Sequence, residues 1–200
     1  MPDTRRRPRR ADVRERLLAA AGALFAERGY EQTSLDQVAA AAGFTKGAVY
    51  SNFGSKDELF LALMDAHVEQ RVQQVRDALQ EPHDVAHTGQ LVGDRLTAAL
   101  DEDREWDLLF LDYVLRAARD PQVHERFVAH RRRVRALVVD AVREVLGSLP
   151  GPRTGLDAEA IAGAVLALAT GLGIERLAEP EAVPDDLLGR LLQVLQPPGA

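Results

Sequence analysis

The chain has 200 residues, and 46% of them are hydrophobic, so it can bury a core as one medium domain or as two smaller ones. It contains no cysteine, which excludes disulfide bonds, thiolate metal sites and cysteine nucleophiles. The formal net charge is −6, yet residues 1–60 hold 10 basic and 8 acidic side chains, whereas residues 61–200 hold 15 and 23. A phosphate-binding surface can therefore be confined to the N-terminal part of an otherwise acidic chain.

Neither the N-terminus nor the most apolar segment predicts membrane insertion. Residues 1–10 include five arginines between Arg5 and Arg10 but no apolar stretch, so they are not a secretory signal. The apolar run at residues 161–172 is too short to span a bilayer. We therefore expect a cytoplasmic protein with no membrane partner. The basic arm either contacts DNA, in a minor groove or along phosphates, or is a solvated tail.

Helical patterns dominate the chain and predict an all-α fold of about nine helices. Alanine, leucine, arginine and glutamate are abundant, and β-branched alternation is nearly missing. The first helix should begin near Asp12 and end at Gly29. The residues from Ser34 to Gln37 are typical of a capping box, so a second helix should begin there. Gly43 can adopt the positive φ of a tight turn after that helix.

Further helices follow this turn. Thr45 is placed to cap a third helix that ends near Phe53, and residues 55–58 form a capping box for a fourth helix that ends near Leu79. Five more helices are predicted at about 84–100, 103–119, 121–147, 157–178 and 185–195. The predicted organisation is a basic arm at residues 1–10, a helix-turn-helix domain at 11–56 and a larger helical domain at 57–200.

The second and third helices have the pattern of a helix-turn-helix that lays a short helix in a DNA groove. Val38 and Ala39 should face inward, and Val49 and Phe53 should anchor the third helix from behind. The outward face then combines small residues, which let the backbone approach base edges, with side chains that can bind bases or phosphates. This face consists of Thr45, Lys46, Gly47, Ala48, Tyr50, Ser51 and Asn52.

Lys56 is predicted to bind phosphate at the start of the fourth helix. A cation in the first turn of a helix interacts unfavourably with the helix dipole. A phosphate would offset this cost, because the free backbone amides and the ammonium would both face it. Lys46 and Lys56 are the only lysines of the chain, and both lie within this motif.

The segment from Ala19 to Phe60 resembles the tetracycline-repressor (TetR) family of transcriptional regulators. Its most restrictive part is the run from Tyr50 to Lys56, YSNFGSK. The resemblance implies an Ω-shaped, all-helical homodimer that binds a palindromic DNA operator and takes an effector in its C-terminal domain. The family's characteristic positions are occupied by Phe25, Gly29, Thr33, Val38, Ala39, Ala42, Gly43, Tyr50, Phe53, Lys56 and Leu59.

The resemblance also implies DNA contacts at matching positions. Asn52 stands where many family members have histidine, which keeps a hydrogen-bonding group but removes a titratable one. The C-terminal two-thirds of the chain matches only in helical layout. The residues expected at phosphates are Ser34, Thr45, Tyr50, Asn52 and Lys56, those expected at bases are Lys46, Gly47 and Ala48, and Thr33, Gln37 and Ser51 complete the predicted set.

An apolar effector pocket is the second predicted site. Trp106, Phe110 and Tyr113 recur on one face of a helix, where they can either pack in the core or wall such a pocket. The effector is expected to be small and largely apolar. Weaker candidates for the pocket are Met64, Phe127 and Thr170.

The last two predicted helices fit either a dimer seam or the core of one subunit. Small residues dominate residues 160–177, and leucines recur through the final helix. The resemblance favours the dimer seam. Its predicted residues are Val165, Leu168, Leu172, Leu188, Leu191 and Leu195.

No sequence pattern supports catalysis, a metal site or a cofactor. His124 and His130 are six residues apart, which places them about 120° apart around a helix and does not predict a zinc site. Residues 171–173 lack the preceding strand and third glycine of a dinucleotide loop. The resemblance to the tetracycline-repressor family leads us to predict a ligand-responsive repressor. The main alternative is a DNA-binding activator without small-molecule input, and no residues support an all-helical enzyme.

Overall fold

Nine α-helices make up almost all of the residues that the computed structural model describes, which are 9–79, 85–102, 104–148, 155–184 and 186–194. A short 3-10 helix at Pro180–Ala182 lies between the last two α-helices. The all-helical fold predicted from the sequence is thereby confirmed. The helices are α1 (Arg10–Gln32), α2 (Leu35–Ala42), α3 (Lys46–Asn52), α4 (Lys56–Ala78), α5 (Val85–Glu102), α6 (Arg104–Arg119), α7 (Pro121–Ser148), α8 (Ala158–Ala178) and α9 (Leu187–Val194).

Helix α1 begins two residues earlier and ends later than its sequence pattern predicts. Asp12 lies inside the helix, where its carboxylate accepts a hydrogen bond from the backbone amide of Arg9 at 3.3 Å. Gly29, where the helix was predicted to end, has a φ of 76° and interrupts the helix instead. One further turn follows the interruption, and it buries Tyr30.

The larger core joins α1–α4 to α6 and α7 around four aromatic rings. Phe60 of α4 is 1% exposed and lies at its centre. The Phe60 ring stacks on Tyr113 at 4.7 Å between centroids and meets Phe25 edge-on at 5.4 Å. Such ring pairs stabilise by about 0.5–1.5 kcal/mol beyond the burial of their area. The ring cluster therefore attaches α1 and α4 to α6.

A smaller core joins α4, α7 and α8. Its edge is closed by Arg76 of α4, whose guanidinium donates to both carboxylate oxygens of Glu144 at 2.7 and 2.9 Å. Helix α4 thus runs from the helix-turn-helix to this second core, so a shift of α4 moves groups at both ends. The buried residues of the smaller core are Val72, Val138, Val139, Ala158 and Ala162.

Helices α5 and α9 cross closely at two glycines. A Cβ placed on Gly93 would lie 2.2 Å from the Cα of Gly189, so a larger residue at Gly93 would force the helices apart. Leu188, next to this crossing, is 3% exposed. The prediction that Leu188 lines a dimer seam was therefore wrong, because contact with α5 buries it within its own subunit.

Helix α8 leaves an apolar stripe uncovered. By length and composition alone α8 could cross a membrane, since it continues past the apolar run at 161–172, and only 17% of its apolar window is buried. Its exposed apolar positions recur at helical spacing and form one stripe. This α8 stripe consists of Ala160, Ala167, Gly171, Ile174 and Ala178.

The other predicted dimer residues lie beside the α8 stripe. Val165, Leu168 and Leu172 are half-buried and lie about 120° around the helix from the stripe. Leu191 on α9 is half-buried, and Leu195 lies outside the described residues. The large exposed hydrophobic side chain on the α8 stripe is Ile174, which the sequence pattern did not single out.

Candidate nucleic-acid interface

The N-terminus of α2 is closed by the predicted capping box. The Ser34 hydroxyl accepts from the Gln37 backbone amide at 3.2 Å, and the Gln37 side-chain oxygen accepts from the Ser34 amide at 2.8 Å. Both residues are exposed beside α3. The first backbone amides of a helix have no acceptor within it, and these reciprocal bonds supply acceptors for two of them. They therefore fix the start of α2.

The turn between α2 and α3 is held by an arginine that the sequence pattern did not identify. Gly43 adopts a left-handed conformation with φ 71° and ψ 32°, as predicted. Arg16 of α1 donates to the carbonyl of Ala42 at 2.9 Å, and its guanidinium lies 4.5 Å from the centroid of the Phe44 ring. A cation at the C-terminal end of α2 interacts favourably with the helix dipole. Arg16 therefore positions the turn that aims α3.

Two buried side chains anchor α3 from behind. Val49 is 0% exposed and Phe53 is 2% exposed, as their inward positions predicted. Thr45 caps the helix by accepting from the Ala48 backbone amide at 3.3 Å. The opposite face of α3 is left to solvent, and Tyr50 is 48% exposed there. A short helix held in this way can enter a groove as one rigid piece.

Arginines near the start of α1 hold the far end of α3. Arg10 donates to the backbone carbonyl of Ser51 at 3.2 Å. The guanidinium of Arg14 lies 4.6 Å from the centroid of the Phe53 ring. The last residues of the predicted basic arm thus support α3, whereas residues 1–8 lie outside the described residues.

The polar side chains on the outward face of α3 bind protein groups in this structure. Lys46 forms an exposed salt bridge with Asp36 of α2 at 2.9 Å, and this hydrogen bond raises the pKa of Lys46. The Asn52 amide nitrogen and the Ser51 hydroxyl both donate to the Ala48 carbonyl, at 2.8 and 3.0 Å. DNA would have to replace these contacts, and each one is accessible enough for replacement.

Lys56 points toward the last turn of α1. Its ammonium donates to the backbone carbonyl of Glu31 at 3.1 Å and lies 4.3 Å from the centroid of the Tyr30 ring. Burial lowers the pKa of Lys56. The N-terminus of α4 is capped by Ser55, whose hydroxyl accepts from the Glu58 amide at 3.1 Å. An ammonium has three donors, so a phosphate can join Lys56 without displacing the carbonyl.

Thr33 is a correction to the predicted DNA-binding set. Its side chain is 2% exposed, and its hydroxyl donates to the carbonyl of Gly29 at 2.9 Å. Its backbone amide donates to the carbonyl of Tyr30 at 3.3 Å. Because both donors bind α1, Thr33 fastens the end of that helix and is not available to DNA.

Asp57, next to Lys56, is a buried carboxylate that receives hydrogen bonds from three helices. The Tyr30 hydroxyl of α1 donates to it at 2.5 Å, and the Tyr113 hydroxyl of α6 donates at 3.2 Å. Arg116 of α6 donates at 2.9 Å, and Arg126 of α7 donates at 2.8 Å. These five residues, which we call the Asp57 node, join the first turn of α4 to α6 and α7.

The Asp57 node is charged at neutral pH. Burial alone would raise the pKa of Asp57, but the hydrogen bond from Tyr30 and the charge of Arg116 outweigh it and hold this pKa below the ordinary value of 3.8. Burial and the bond to Asp57 raise the pKa of Tyr30 well above its usual range, so its phenol stays a neutral donor. The node therefore pairs one buried anion with two cations.

A second polar contact joins α4 to α7 further along. The buried His130 ring nitrogen lies 2.7 Å from one oxygen of Asp65, and Arg133 donates to the other oxygen at 2.9 Å. Burial opposes ionisation of Asp65, but His130 and Arg133 outweigh it and lower its pKa. Helix α4 is thus tied to α7 at two carboxylates about two turns apart.

In the described part of the chain, the predicted effector residues are divided between the larger core and half-buried positions. Met64 is 6% exposed and Tyr113 is 1% exposed, and both pack in the larger core, so their place in a pocket wall stays a prediction. Thr170 is half-buried, and its hydroxyl donates to the carbonyl of Leu166 in its own helix at 2.9 Å. Phe110 and Phe127 are half-buried and face each other at 5.9 Å between ring centroids.

Trp106 lies apart from this pair, beside an apolar groove between α1, α4 and α6. Its indole stacks on the His67 ring at 4.4 Å between centroids. The groove has a volume of about 580 Å³, within the range of small-molecule sites, but it opens widely to solvent. It is lined by Ala11, Arg14, Glu15, Leu18, Ala19, Gly22, Ala23, Leu63, Ala66 and Trp106.

Known proteins share sequence with this chain over most of its length. The regulator TtgR of Pseudomonas putida is 33% identical over 191 residues, which cover 89% of this chain and 85% of TtgR. The transcriptional activator FasR of Mycolicibacterium smegmatis is 41% identical over 75 residues, which are 38% of this chain and only 34% of FasR. The crystal structure of FadR from Bacillus subtilis, in complex with stearoyl-CoA, covers 90% of this chain and 96% of its own at a TM-score of 0.62 and 16% identity. At that identity FadR shares the fold alone.

Two family sequence patterns match separate parts of the chain. The pattern described as bacterial regulatory proteins of the tetR family matches residues 17–63, which include α2 and α3. The pattern described as the C-terminal part of BetI-type transcriptional repressors matches residues 89–194, which is more than half of the chain. The chain therefore belongs to the tetR family of DNA-binding transcriptional regulators, whose members are not enzymes.

Proposed function

We propose that this protein is a cytoplasmic repressor that binds a palindromic operator as a homodimer and leaves it when a small effector binds. The observation that carries the proposal is the connection from the exposed face of α3, through α4, to the Asp57 node. A group bound among the later helices can act on α4 through this node. We retain the predicted division into a basic arm, a helix-turn-helix domain at 11–56 and a larger domain at 57–200.

The proposed DNA contacts follow from the exposed groups around α3. Lys46 and Tyr50 project from the outward face, where Gly47 and Ala48 keep the helix slim enough for base edges. Ser34 and Lys56 lie at helix N-termini, which favour phosphate. The proposed set is Ser34, Gln37, Thr45, Lys46, Gly47, Ala48, Tyr50, Ser51, Asn52 and Lys56, without Thr33.

The α8 stripe supports the homodimer. Its residues are small or apolar, and two such helices can approach closely when their stripes meet. Burial against a second copy also accounts for an apolar helix in a chain that we place in the cytoplasm. A dimer would set two copies of α3 in successive major grooves, about 34–36 Å apart.

Release of the operator would follow from linkage. An effector that binds one dimer geometry more tightly than another shifts the population toward it, and the operator loses affinity by the same factor. The FadR complex shows that a protein of this fold can hold a ligand with a long apolar chain. That precedent supports an effector with an apolar body for this chain; that the effector is small and largely apolar remains our proposal.

An activator is the second candidate function, because the relative FasR is named a transcriptional activator. A reporter fused to the promoter beside this protein's own gene separates the two. Deletion of the gene should raise reporter output if the protein is a repressor and lower it if the protein is an activator. A Lys46→Ala chain should move reporter output part of the way toward the deletion in either case, which ties the effect to DNA binding.

A further inference from the structure

Arg131 of α7 is a half-buried guanidinium that packs on an aromatic ring instead of a carboxylate. Its central carbon lies 5.5 Å from the centroid of the Phe110 ring on α6. Phe110 in turn faces Phe127, one turn before Arg131 on the same face of α7. Within the described ranges of the chain, no carboxylate or carbonyl oxygen accepts a hydrogen bond from Arg131.

The other arginines that pack between α4, α6 and α7 do have acidic partners. Arg116 and Arg126 bind Asp57, and Arg133 binds Asp65. A shortage of acids does not explain the difference, because the chain has 31 acidic and 25 basic side chains. Arg131 is set apart by its surroundings, which supply aromatic rings and a second cation.

The electrostatic environment of Arg131 is unfavourable as it stands. Burial lowers the pKa of Arg131, and the neighbouring charge of Arg135 lowers it further. A cation kept from water without a counter-ion costs free energy, and attraction to one ring only partly offsets that cost. A bound anion would supply the missing charge.

We propose that Arg131, Phe110 and Phe127 form the part of the effector site that recognises an organic oxyanion attached to an apolar body. This inference rests on the proposed ligand-responsive function. The planar guanidinium suits a two-oxygen group such as a carboxylate or sulfonate, and the two rings suit the apolar body. Phe127 also lies 5.9 Å from the ring of Tyr113, so such a ligand would sit one ring away from the Asp57 node.

A matched pair of fluorescent probes tests the charge recognition. The anion 8-anilinonaphthalene-1-sulfonate and the neutral N-phenyl-1-naphthylamine share one ring system, and both are titrated into the full-length protein. Arg131→Gln should weaken binding of the anion about tenfold, the usual effect of losing a charge-assisted hydrogen bond, and should leave the neutral probe unchanged. Arg132→Gln, at the exposed neighbouring position, should change neither. Equal binding of the anion by the wild type and Arg131→Gln would overturn the proposal.

A stability comparison tests whether Arg131 instead pairs with a second copy of the chain. Without ligand, Arg131→Met should leave the melting temperature and the dimer dissociation constant unchanged or improved, because it removes an uncompensated cation. Arg133→Met, which breaks the contact with Asp65, should lower the melting temperature. If Arg131→Met lowers it as much, or weakens the dimer, Arg131 has a protein partner and the proposal fails.

Release from DNA separates this proposal from the function on which it rests. The sulfonate probe is added at saturation to the protein bound to its footprinted operator. Probe binding that depends on Arg131 and releases DNA supports both anion recognition and the ligand-responsive function. Arg131-dependent binding without release supports anion recognition and contradicts the ligand-responsive function. Release by the sulfonate probe, with no dependence on Arg131, supports that function and overturns anion recognition.

Discussion

The Lys56 ammonium lies 4.3 Å from the centroid of the Tyr30 ring, and the Tyr30 hydroxyl donates to Asp57 at 2.5 Å. Arg116 of α6 lies over the same ring at 4.6 Å and also binds Asp57. The lysine proposed to hold phosphate is therefore one aromatic ring away from α6. A movement of α6 that shifts Arg116 would reach Lys56 through Tyr30.

Lys56→Ala should weaken binding to every DNA sequence. If Lys56 holds a phosphate, the slope of log affinity against log salt should become shallower by about 1, because one fewer counterion is released. Fluorescence anisotropy titrations at several salt concentrations measure the slope. Arg132→Ala makes the same charge change at an exposed position on α7 and should leave the slope unchanged. If the slope is unaltered in Lys56→Ala, Lys56 does not contact a DNA phosphate.

Lys46→Ala should change sequence preference more than overall affinity. Lys46 projects from α3 and must leave its salt bridge with Asp36 to contact DNA. Removal of the Lys46 ammonium should therefore relax the base preference at one position in each half-site. Selection from a randomised operator library, followed by sequencing, measures this. Asp36→Asn, which leaves Lys46 in place, is the matched variant and should keep the original preference. A uniform loss of affinity across sequences in Lys46→Ala would reassign the lysine to the phosphate backbone.

Asp57→Asn should destabilise the fold by about 2–3 kcal/mol. The amide cannot replace the charge that binds two arginines, but both arginines are partly exposed, so the loss stays below that of a fully buried pair. The melting temperature should fall by about 5–10 °C in a domain of this size. Glu144→Gln, which breaks an exposed pair with Arg76, should have a much smaller effect. Equal effects of the two variants would contradict the importance of the Asp57 node.

Acid should remove the contribution of Asp57 to stability. Its pKa in the folded protein is lower than the ordinary value of 3.8, so its stabilising effect is fully present above about pH 4 and is lost as pH falls through the folded pKa. The difference in melting temperature between the wild type and Asp57→Asn should therefore shrink between pH 5 and pH 2.5. Calorimetry across this range checks the trend, and a difference that stays constant with pH would refute the assignment.

Ile174→Arg should dissociate the dimer. Ile174 is 41% exposed on the α8 stripe, so the subunit core should tolerate the arginine, but a desolvated charge in the proposed seam should weaken association at least about tenfold. Sedimentation velocity over a range of concentrations measures the dissociation constant. Leu115→Arg makes the same kind of change at a leucine of α6 that is 53% exposed and should leave the dimer intact.

Local signals in the sequence predicted the helix-turn-helix well. The Ser34–Gln37 capping box and the left-handed Gly43 each depend on residues that are close together in the chain. Such local features can be recognised from the sequence alone. The inward anchors Val49 and Phe53 follow from helical periodicity in the same way.

The long-range contacts could not be predicted in this way. The hydrogen-bond partners of Asp57 lie 27 to 69 positions away, and nothing in residues 55–58 distinguishes this carboxylate from an ordinary helix-capping acid. Arg16 reaches the turn from another helix, and Leu188 is buried only because two glycines let α9 approach α5. Each of these contacts depends on which helices pack together, and a single sequence does not reveal that packing.

The most direct test of the central claim is a DNase I footprint of the purified protein on DNA flanking its own gene. A dimer that uses α3 in the proposed way should protect a palindromic site with half-sites about one helical turn apart, or a multiple of that distance. Ile174→Arg should lose this protection at the concentration where the wild type is saturated, and Lys46→Ala should need more protein to reach it. An unsymmetrical protected site, or one that both variants protect as well as the wild type, would contradict the account.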